Sequence, residues 1–365
     1  MTLLIVNGAV FRLMYTVALA ELKDGMILGD NITIGEKVVI KKGAKVDSII
    51  RKQLAAYKLI AVNILEEEDF AETYYGKVKV SRVFKKFEED YTANLMAYKV
   101  AVDSFIYKKV PFRIQDLLEI VKNLVHEKMH GRELFAYLYL HLPSEDQLPY
   151  AHGLNVALIS KIFARWLGLN EKETEDLCIS GFLFDLGKYM IPPDILYKPT
   201  KLNRMEYDLV KTHAFHGYYL LDHYSKNVNS HVLNATLQHH EYTDGSGYPQ
   251  GLRGSEIDPC AKIMTILDTY EAMTSARSYR AAKCPYEVIH ILEHNMLQHY
   301  DVHFTQLFAR NIVDELIGCR VMLNDGTTWE VMMNNGNDLS RPILRNDNDV
   351  LDLSKNRDLS ITGIL

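Results

Sequence analysis

His239-His240-Glu241-Tyr242-Thr243-Asp244-Gly245-Ser246-Gly247-Tyr248-Pro249 is the most informative stretch of this chain. Two adjacent histidines close a helical run. They cannot share one helix face, but both can reach one metal centre if the helix end points at it. Asp-Gly-Ser-Gly then permits a tight backbone with positive φ, and Pro249 stiffens the exit. Taken alone, the segment reads equally well as a surface turn behind an incidental histidine pair.

Four more chemistry-bearing positions lie around it. His152 opens a helix that continues as the apolar ladder Val156, Ile159, Ile162, Phe163. Asp185 ends the apolar run Gly181-Phe182-Leu183-Phe184, just before Leu186-Gly187-Lys188. His213 lies on an amphipathic helix with His216 one turn on, and Asp268 follows Ile263-Met264-Thr265-Ile266-Leu267. A carboxylate among so many apolar residues is costly unless it is paired or bound to metal. Each position also has a plainer reading. A single helical His is more often a hydrogen-bonded core residue than a ligand, and a single buried Asp more often caps or pairs. The set points to function: His and Asp on five successive helical segments, which short connections could bring around one centre. Imidazole and carboxylate together suit iron, manganese or zinc.

The rest of the chain bounds this reading. It has 365 residues, 48% hydrophobic and 24% charged, the balance of a globular protein. A formal net charge of −6 argues against a general nucleic-acid-polymer binder, which carries a basic footprint, but not against a small phosphate ligand. Cys178, Cys260, Cys284 and Cys319 form no CxxC pair and read as buried free thiols of a cytoplasmic protein. No uncharged apolar run is long enough for a membrane span. The apolar start lacks a charged leader region and is interrupted by Arg12, so a cleaved signal is not expected.

The pattern along the chain predicts a mainly α protein. Residues 1–13 read as an extension of unclear origin and 14–66 as a small α/β, β-rich unit. In that unit Ile32–Ile34 and Val38–Ile40 form a hairpin, Asp47 caps a helix through Tyr57, and a strand starts at Ile60. Residues 67–141 read as a mixed-charge linker, to about 86, followed by helices. The helices from Glu88 to His141 are a candidate homodimer surface. Residues 142–315 form a helical core. After it, 316–365 form a small β unit, because Asp325-Gly326 and Asn335-Gly336 separate short apolar runs.

With these residues in view, the stretch from about His152 to Tyr300 is identified as resembling the HD-GYP family, the branch of the HD phosphohydrolases that hydrolyses cyclic di-GMP. His239 to Pro249 matches the family's HHExxDGxGYP tract. Asp185-Leu186-Gly187-Lys188 with Ile191-Pro192 resembles its HD-x-GK-x-x-IP region, and Asp268 to Arg280 its DxFDALTSDRPYR segment. The likeness covers roughly 150 of the 365 residues. It implies an HD-type helical bundle at 142–315. Leu19 to Ile64, with Leu22-Lys23-Asp24-Gly25-Met26, resembles an N-terminal regulatory domain of some relatives, and the β-rich tail resembles one found in part of the family.

By this resemblance, His152, Asp185, His213, His239, His240 and Asp268 are metal ligands for one or two divalent ions, with Asp185 bridging. Lys188 joins Asp185 as a catalytic residue and faces the scissile phosphate. Gly247 and Tyr248 line the substrate groove, and Arg277 and Arg280 hold phosphate or guanine. The implied ligand is cyclic di-GMP or a related cyclic dinucleotide. A protein partner would meet the GYP loop or the N-terminal domain. The chain departs from the pattern at Phe184, where the family has the histidine of its HD doublet. The acid that some relatives carry four residues before the first histidine is absent as well, because position 148 is Leu148, so a third metal is not expected. Two functions follow: a cyclic di-GMP phosphodiesterase giving pGpG or GMP with turnover reduced by the missing ligand, or a non-catalytic cyclic dinucleotide receptor. An HD-type phosphohydrolase acting on another nucleotide stands below both.

Overall fold

The computed structural model describes residues 4–6, 9–34, 37–41, 44, 46–57, 59, 61–67, 73–198, 200–225, 227–275, 282–295, 297–347 and 349–365. The chain divides into two compact units, Met1–Lys77 and Val78–Leu365.

The first unit contains β1 (Leu4–Val6), β2 (Ala9–Ala18), β3 (Ile27–Leu28), β4 (Ile32–Ile34), β5 (Lys37–Ile40), α1 (Ser48–Ala56) and β6 (Ala61–Glu67). Four strands form an antiparallel sheet in the order β1-β2-β6-β3, and β4 and β5 form a separate hairpin. Asp47 caps α1 by accepting hydrogen bonds from the Ile49 and Ile50 amides at 2.9 and 2.8 Å. Val17, Leu22, Leu28, Leu54, Val62 and Ile64 are among the residues that close the core. The expected boundary at residue 14 falls inside β2. That strand pairs with β6 from Phe11↔Glu67 to Ala18↔Ala61, so its backbone groups before residue 14 have ladder partners that the sequence alone does not name.

The linker expected over 67–86 is helical from Tyr74. Helix α2 (Tyr74–Val80) leads into α3 (Arg82–Lys108), where Ser81 caps the Phe84 amide at 3.0 Å. The mixed charge belongs to exposed faces, while Phe84, Phe87, Tyr91 and Leu95 are buried at helical spacing. The second unit continues with α4 (Ile114–Leu124), α5 (Gly131–Leu140), α6 (Leu148–Leu167) and α7 (Glu171–Leu183). A 3₁₀ turn (Leu186–Met190) follows, then α8 (Pro193–Leu196), α9 (Arg204–Lys211), α10 (His213–Tyr224), α11 (Ser230–Gln238), α12 (Pro259–Thr274), α13 (Pro285–Asn295) and α14 (Val302–Glu315). Helix α6 is buried almost all round, from Tyr150 to Ala164. Side chains such as Leu154, Leu158 and Phe163 each contribute about 1.5–3 kcal/mol by leaving water, which makes α6 the rigid centre against which α7 and α12 pack.

A five-stranded antiparallel sheet ends the chain, built from β7 (Arg320–Leu323), β8 (Thr328–Met333), β9 (Ile343–Arg345), β10 (Val350–Asp352) and β11 (Ile361–Ile364) in the order β10-β9-β8-β7-β11. The strand β11 was not anticipated; it is short and interrupted at Gly363, where its register with β7 shifts. Among the described residues no helix is long and apolar enough to cross a membrane. Cys178, Cys284 and Cys319 are buried free thiols, whereas Cys260 is partly exposed because it sits at the start of α12.

Candidate metal centre

Five stretches of the second unit meet at one point. His152 comes from the second turn of α6 and Asp185 from just past α7. His213 is the first residue of α10, His239 and His240 follow α11, and Asp268 lies on α12. Asp185, His213, His239 and His240 each bring a ligand atom within 4.8 Å of the others, and so do His152, Asp185 and Asp268. Asp185 belongs to both groups.

The convergence of Asp185 and His213 depends on Gly187. A Cβ at that position would lie 1.8 Å from the His213 carbonyl oxygen and 2.6 Å from the Gly217 amide nitrogen, so only glycine lets the 3₁₀ turn touch α10. Gly247 does the same beside the histidine pair, because a Cβ there would lie 2.4 Å from the His240 carbonyl oxygen. Glu241, 2% exposed, holds the loop shut: its carboxylate accepts hydrogen bonds from the Gln250, Gly251 and Leu252 amides at 2.6, 3.1 and 3.0 Å. Tyr248 then stacks on His240 with ring centroids 4.7 Å apart.

In the larger group the backbone orients the imidazoles. His213 Nδ1 lies 2.6 Å from the Val210 carbonyl, and His239 Nδ1 lies 3.2 and 3.0 Å from the Ala235 and Thr236 carbonyls. A carbonyl only accepts, so both Nδ1 atoms donate and both Nε2 atoms of the neutral rings carry bare lone pairs. Those two Nε2 atoms face each other at 3.2 Å, and each is 3.5 Å from Asp185 Oδ1. Asp185 Oδ1 is buried and receives no hydrogen bond. Two lone pairs and a carboxylate oxygen pointed at one another are satisfied together by a cation, so this donor set fits a divalent metal. Burial pushes the His213 imidazole down to about 4, and burial followed by the neighbouring His239 holds His240 low as well, which keeps both rings in the ligating form.

The smaller group is oriented by side chains. His152 Nε2 lies 3.0 Å from Asp268 Oδ1 and 3.4 Å from Asp185 Oδ2. Its Nδ1 donates to Glu271 Oε2 in a close contact. Glu271, 3% exposed, also accepts from Asn155 Nδ2 at 2.7 Å and from the Ser275 hydroxyl at 2.6 Å. Asn155 in turn accepts from the Tyr91 hydroxyl at 2.7 Å. Burial opposes charge on His152, yet Glu271, Asp185 and Asp268 outweigh it and raise its pKa well above the ordinary value. Burial would likewise raise Asp185 and Asp268. Lys188 and the histidines hold Asp185 well below the usual carboxylate range, and His152 with Lys188 does the same for Asp268. The Lys188 ammonium itself touches Asp185 Oδ2.

Phe184 sits between the groups with no exposed surface. Its ring centroid is 5.4 Å from that of His152 and 5.0 Å from that of His239. It offers no lone pair, and it fills with hydrocarbon the space between two imidazoles. Arg277 and Arg280 lie outside the described residues. The sequence reading missed the relay Tyr91–Asn155–Glu271 and the anchor Glu241. Glu271 did carry a signal: it is a second acid one turn beyond Asp268 in the same apolar helix.

Residues 137–304 match the HD domain family. The chain is 36% identical over 154 residues to 3′3′-cGAMP-specific phosphodiesterase 1 of Vibrio cholerae, covering 42% of this chain and 35% of that protein. It is 32% identical over 203 residues to the cyclic di-GMP phosphodiesterase PA4108 of Pseudomonas aeruginosa, covering 55% and 48%. In three dimensions it is similar to Bd1817, a HDG"Y"P protein from Bdellovibrio bacteriovorus, with 17% identity, a TM-score of 0.49 and coverage of 82% and 99%. The matched region spans less than half the length of either phosphodiesterase. The helical core with its shared aspartate is an HD domain, a class of metal-dependent phosphohydrolase folds. Within that class, these relatives and the motifs at His239–Pro249 support the HD-GYP family for the matched region.

Proposed function

We propose that this chain is a metal-dependent cyclic dinucleotide phosphodiesterase, acting on cyclic di-GMP or 3′3′-cGAMP, with turnover reduced by Phe184. The observation that carries it is the sharing of Asp185 between two donor groups beside Lys188 and the Tyr248 loop. The donor set suits iron, manganese or zinc. His213, His239, His240 and Asp185 would hold one ion, and His152, Asp185 and Asp268 a second. Bound there, such ions supply a hydroxide at neutral pH and neutralise phosphate oxygens.

The chain's own residues do the rest. Lys188 places positive charge where negative charge grows on phosphate as water adds and the ester oxygen leaves. The Tyr248 ring, stacked on His240 and buried on that side, fixes one wall of the groove, while Gly247 lets the loop pack against the His240 backbone. Arg277 and Arg280 would grip phosphate or guanine. One P–O bond opens and water supplies the new oxygen, so the product is the linear dinucleotide, pGpG from cyclic di-GMP, with GMP after a second cut. Purified protein with manganese or ferrous iron should convert cyclic di-GMP or 3′3′-cGAMP slowly to linear product, and a chelator should stop it. Turnover of nucleoside triphosphates with none of either cyclic dinucleotide would overturn the proposal.

The buried Phe184 ring favours a second reading, a receptor that binds the cyclic dinucleotide without cutting it. Tight binding with no linear product, at full metal occupancy of the four-donor group, would select it.

A further inference from the structure

A third donor group lies away from this centre. His231, Asp258 and Cys260 place an imidazole nitrogen, a carboxylate oxygen and a thiol sulfur within 4.8 Å of one another. We propose that they form a separate transition-metal site, suited to zinc, that clips the start of α11 to the start of α12.

Two helix starts build the group. Asn229 caps α11, accepting from the His231 amide at 3.0 Å, and its own amide donates to Asp176 at 2.6 Å. Asp258 caps α12 by accepting from the Cys260 amide at 2.9 Å through Oδ1. Its Oδ2 accepts from Asn234 at 3.0 Å and from His231 at 2.8 Å, and its backbone amide donates to Gln238 at 2.8 Å. The Asp258 carboxylate is therefore held in place with 7% exposure before any ion arrives, while the His231 ring is 53% exposed. One donor is fixed and another opens to water, which gives an ion both a seat and a way in.

Nitrogen, oxygen and sulfur together match zinc. Its bonds of about 2.0–2.3 Å put neighbouring ligand atoms about 3–4 Å apart, and a water completes a tetrahedron around three protein donors. The electrostatics point the same way. Burial, together with Asp258, Asp176 and Glu173, pushes the Cys260 thiol up to about 12. Those carboxylates discourage a free thiolate but attract a cation, and a coordinating thiol gives up its proton to solvent. The consequence reaches the main centre through the helices themselves. His239 follows the far end of α11, and Asp268 lies further along α12, so an ion at the near ends restrains both supports.

The donor types make the proposal separable from the HD centre, which contains no cysteine. The full chain is stripped of metal with a chelator and titrated with cobalt(II). A near-ultraviolet thiolate-to-cobalt charge-transfer band is expected in the wild type. It should vanish in Cys260→Ser, persist in His239→Ala, and need at least about 10-fold more cobalt in His231→Ala. His231 is half-exposed, so that variant tests the site even if Cys260→Ser does not fold. Wild-type protein that takes up cobalt without the band, or a band unchanged in Cys260→Ser or His231→Ala, overturns the proposal. None of these outcomes depends on cyclic dinucleotide hydrolysis.

Discussion

On one side of Asp185, His213 and His239 are aimed by backbone carbonyls and meet an aspartate oxygen that has no hydrogen-bond donor. On the other side, His152 is aimed by a chain of side chains from Tyr91 through Asn155 to Glu271, and the place beside it is filled by Phe184. The four-donor half turns two bare lone pairs toward each other and toward Asp185 Oδ1. The three-donor half meets its own charge with an imidazolium and the Lys188 ammonium. Neighbouring cations thus help to stabilise the buried carboxylates of the half that carries Phe184.

Losing the shared residue should erase the difference. Asp185→Asn removes the only carboxylate common to both groups. Metal affinity should fall by more than about 100-fold at both positions, with no detectable hydrolysis. Calorimetric metal titration measures this directly, and one ion retained at wild-type affinity would mean that the two groups do not share Asp185.

The Gly187 backbone packs directly on His213 of the four-donor half, so Gly187→Ala should separate the two. The added methyl meets the His213 carbonyl and must displace the turn or α10. A loss of about 3 kcal/mol in urea unfolding is expected, the upper end for overpacking. In whatever folds, the four-donor ion should weaken more than the other. Stability within about 0.5 kcal/mol of wild type would show that the turn yields freely.

How much of this was legible in the sequence follows the same division. The converging donors themselves stand in short local patterns, such as His239-His240 before Asp-Gly-Ser-Gly and Asp185 at the end of an apolar helix, so residue type and position drew attention to them. What orients them was less visible. The Val210 and Ala235 carbonyls belong to every sequence equally, and Asn155 meets Glu271 only after α6 and α12 pack across 116 residues of chain. Glu241 could be seen as an acid, but its three amide partners exist only once the loop closes. The helix over 74–80 and the strand at 361–364 escaped for a different reason: both are short, and tertiary packing rather than local period sustains them.

Phe184→His sharpens the comparison by trying to make the two halves alike. The new imidazole would stand between His152 and His239, where the phenyl ring is now. Affinity for a second ion should rise by about 10-fold or more, and hydrolysis with it. Metal analysis of the variant and its rate of linear product formation are the two readings. No gain in either would mean that the smaller group has drifted beyond one residue.

The smallest effect comes from the relay. Glu271→Gln keeps the size of the side chain but replaces one acceptor oxygen with a donor amide. If that amide faces His152, it meets the Nδ1 proton; if it faces Asn155, it meets another amide. Turning Asn155 over relieves the second clash but takes away the acceptor used by the Tyr91 hydroxyl. No arrangement of the variant both satisfies every donor and leaves the His152 Nε2 lone pair free for a metal. Outer-shell losses of this kind cost about 10-fold at the low end of their range. Affinity at the three-donor position should therefore drop about 10-fold, while the four-donor ion keeps its affinity, because carbonyls aim the His213 and His239 rings and Tyr248 stacks on His240. Equal weakening of both ions in a metal titration would show that the halves are coupled through more than Asp185.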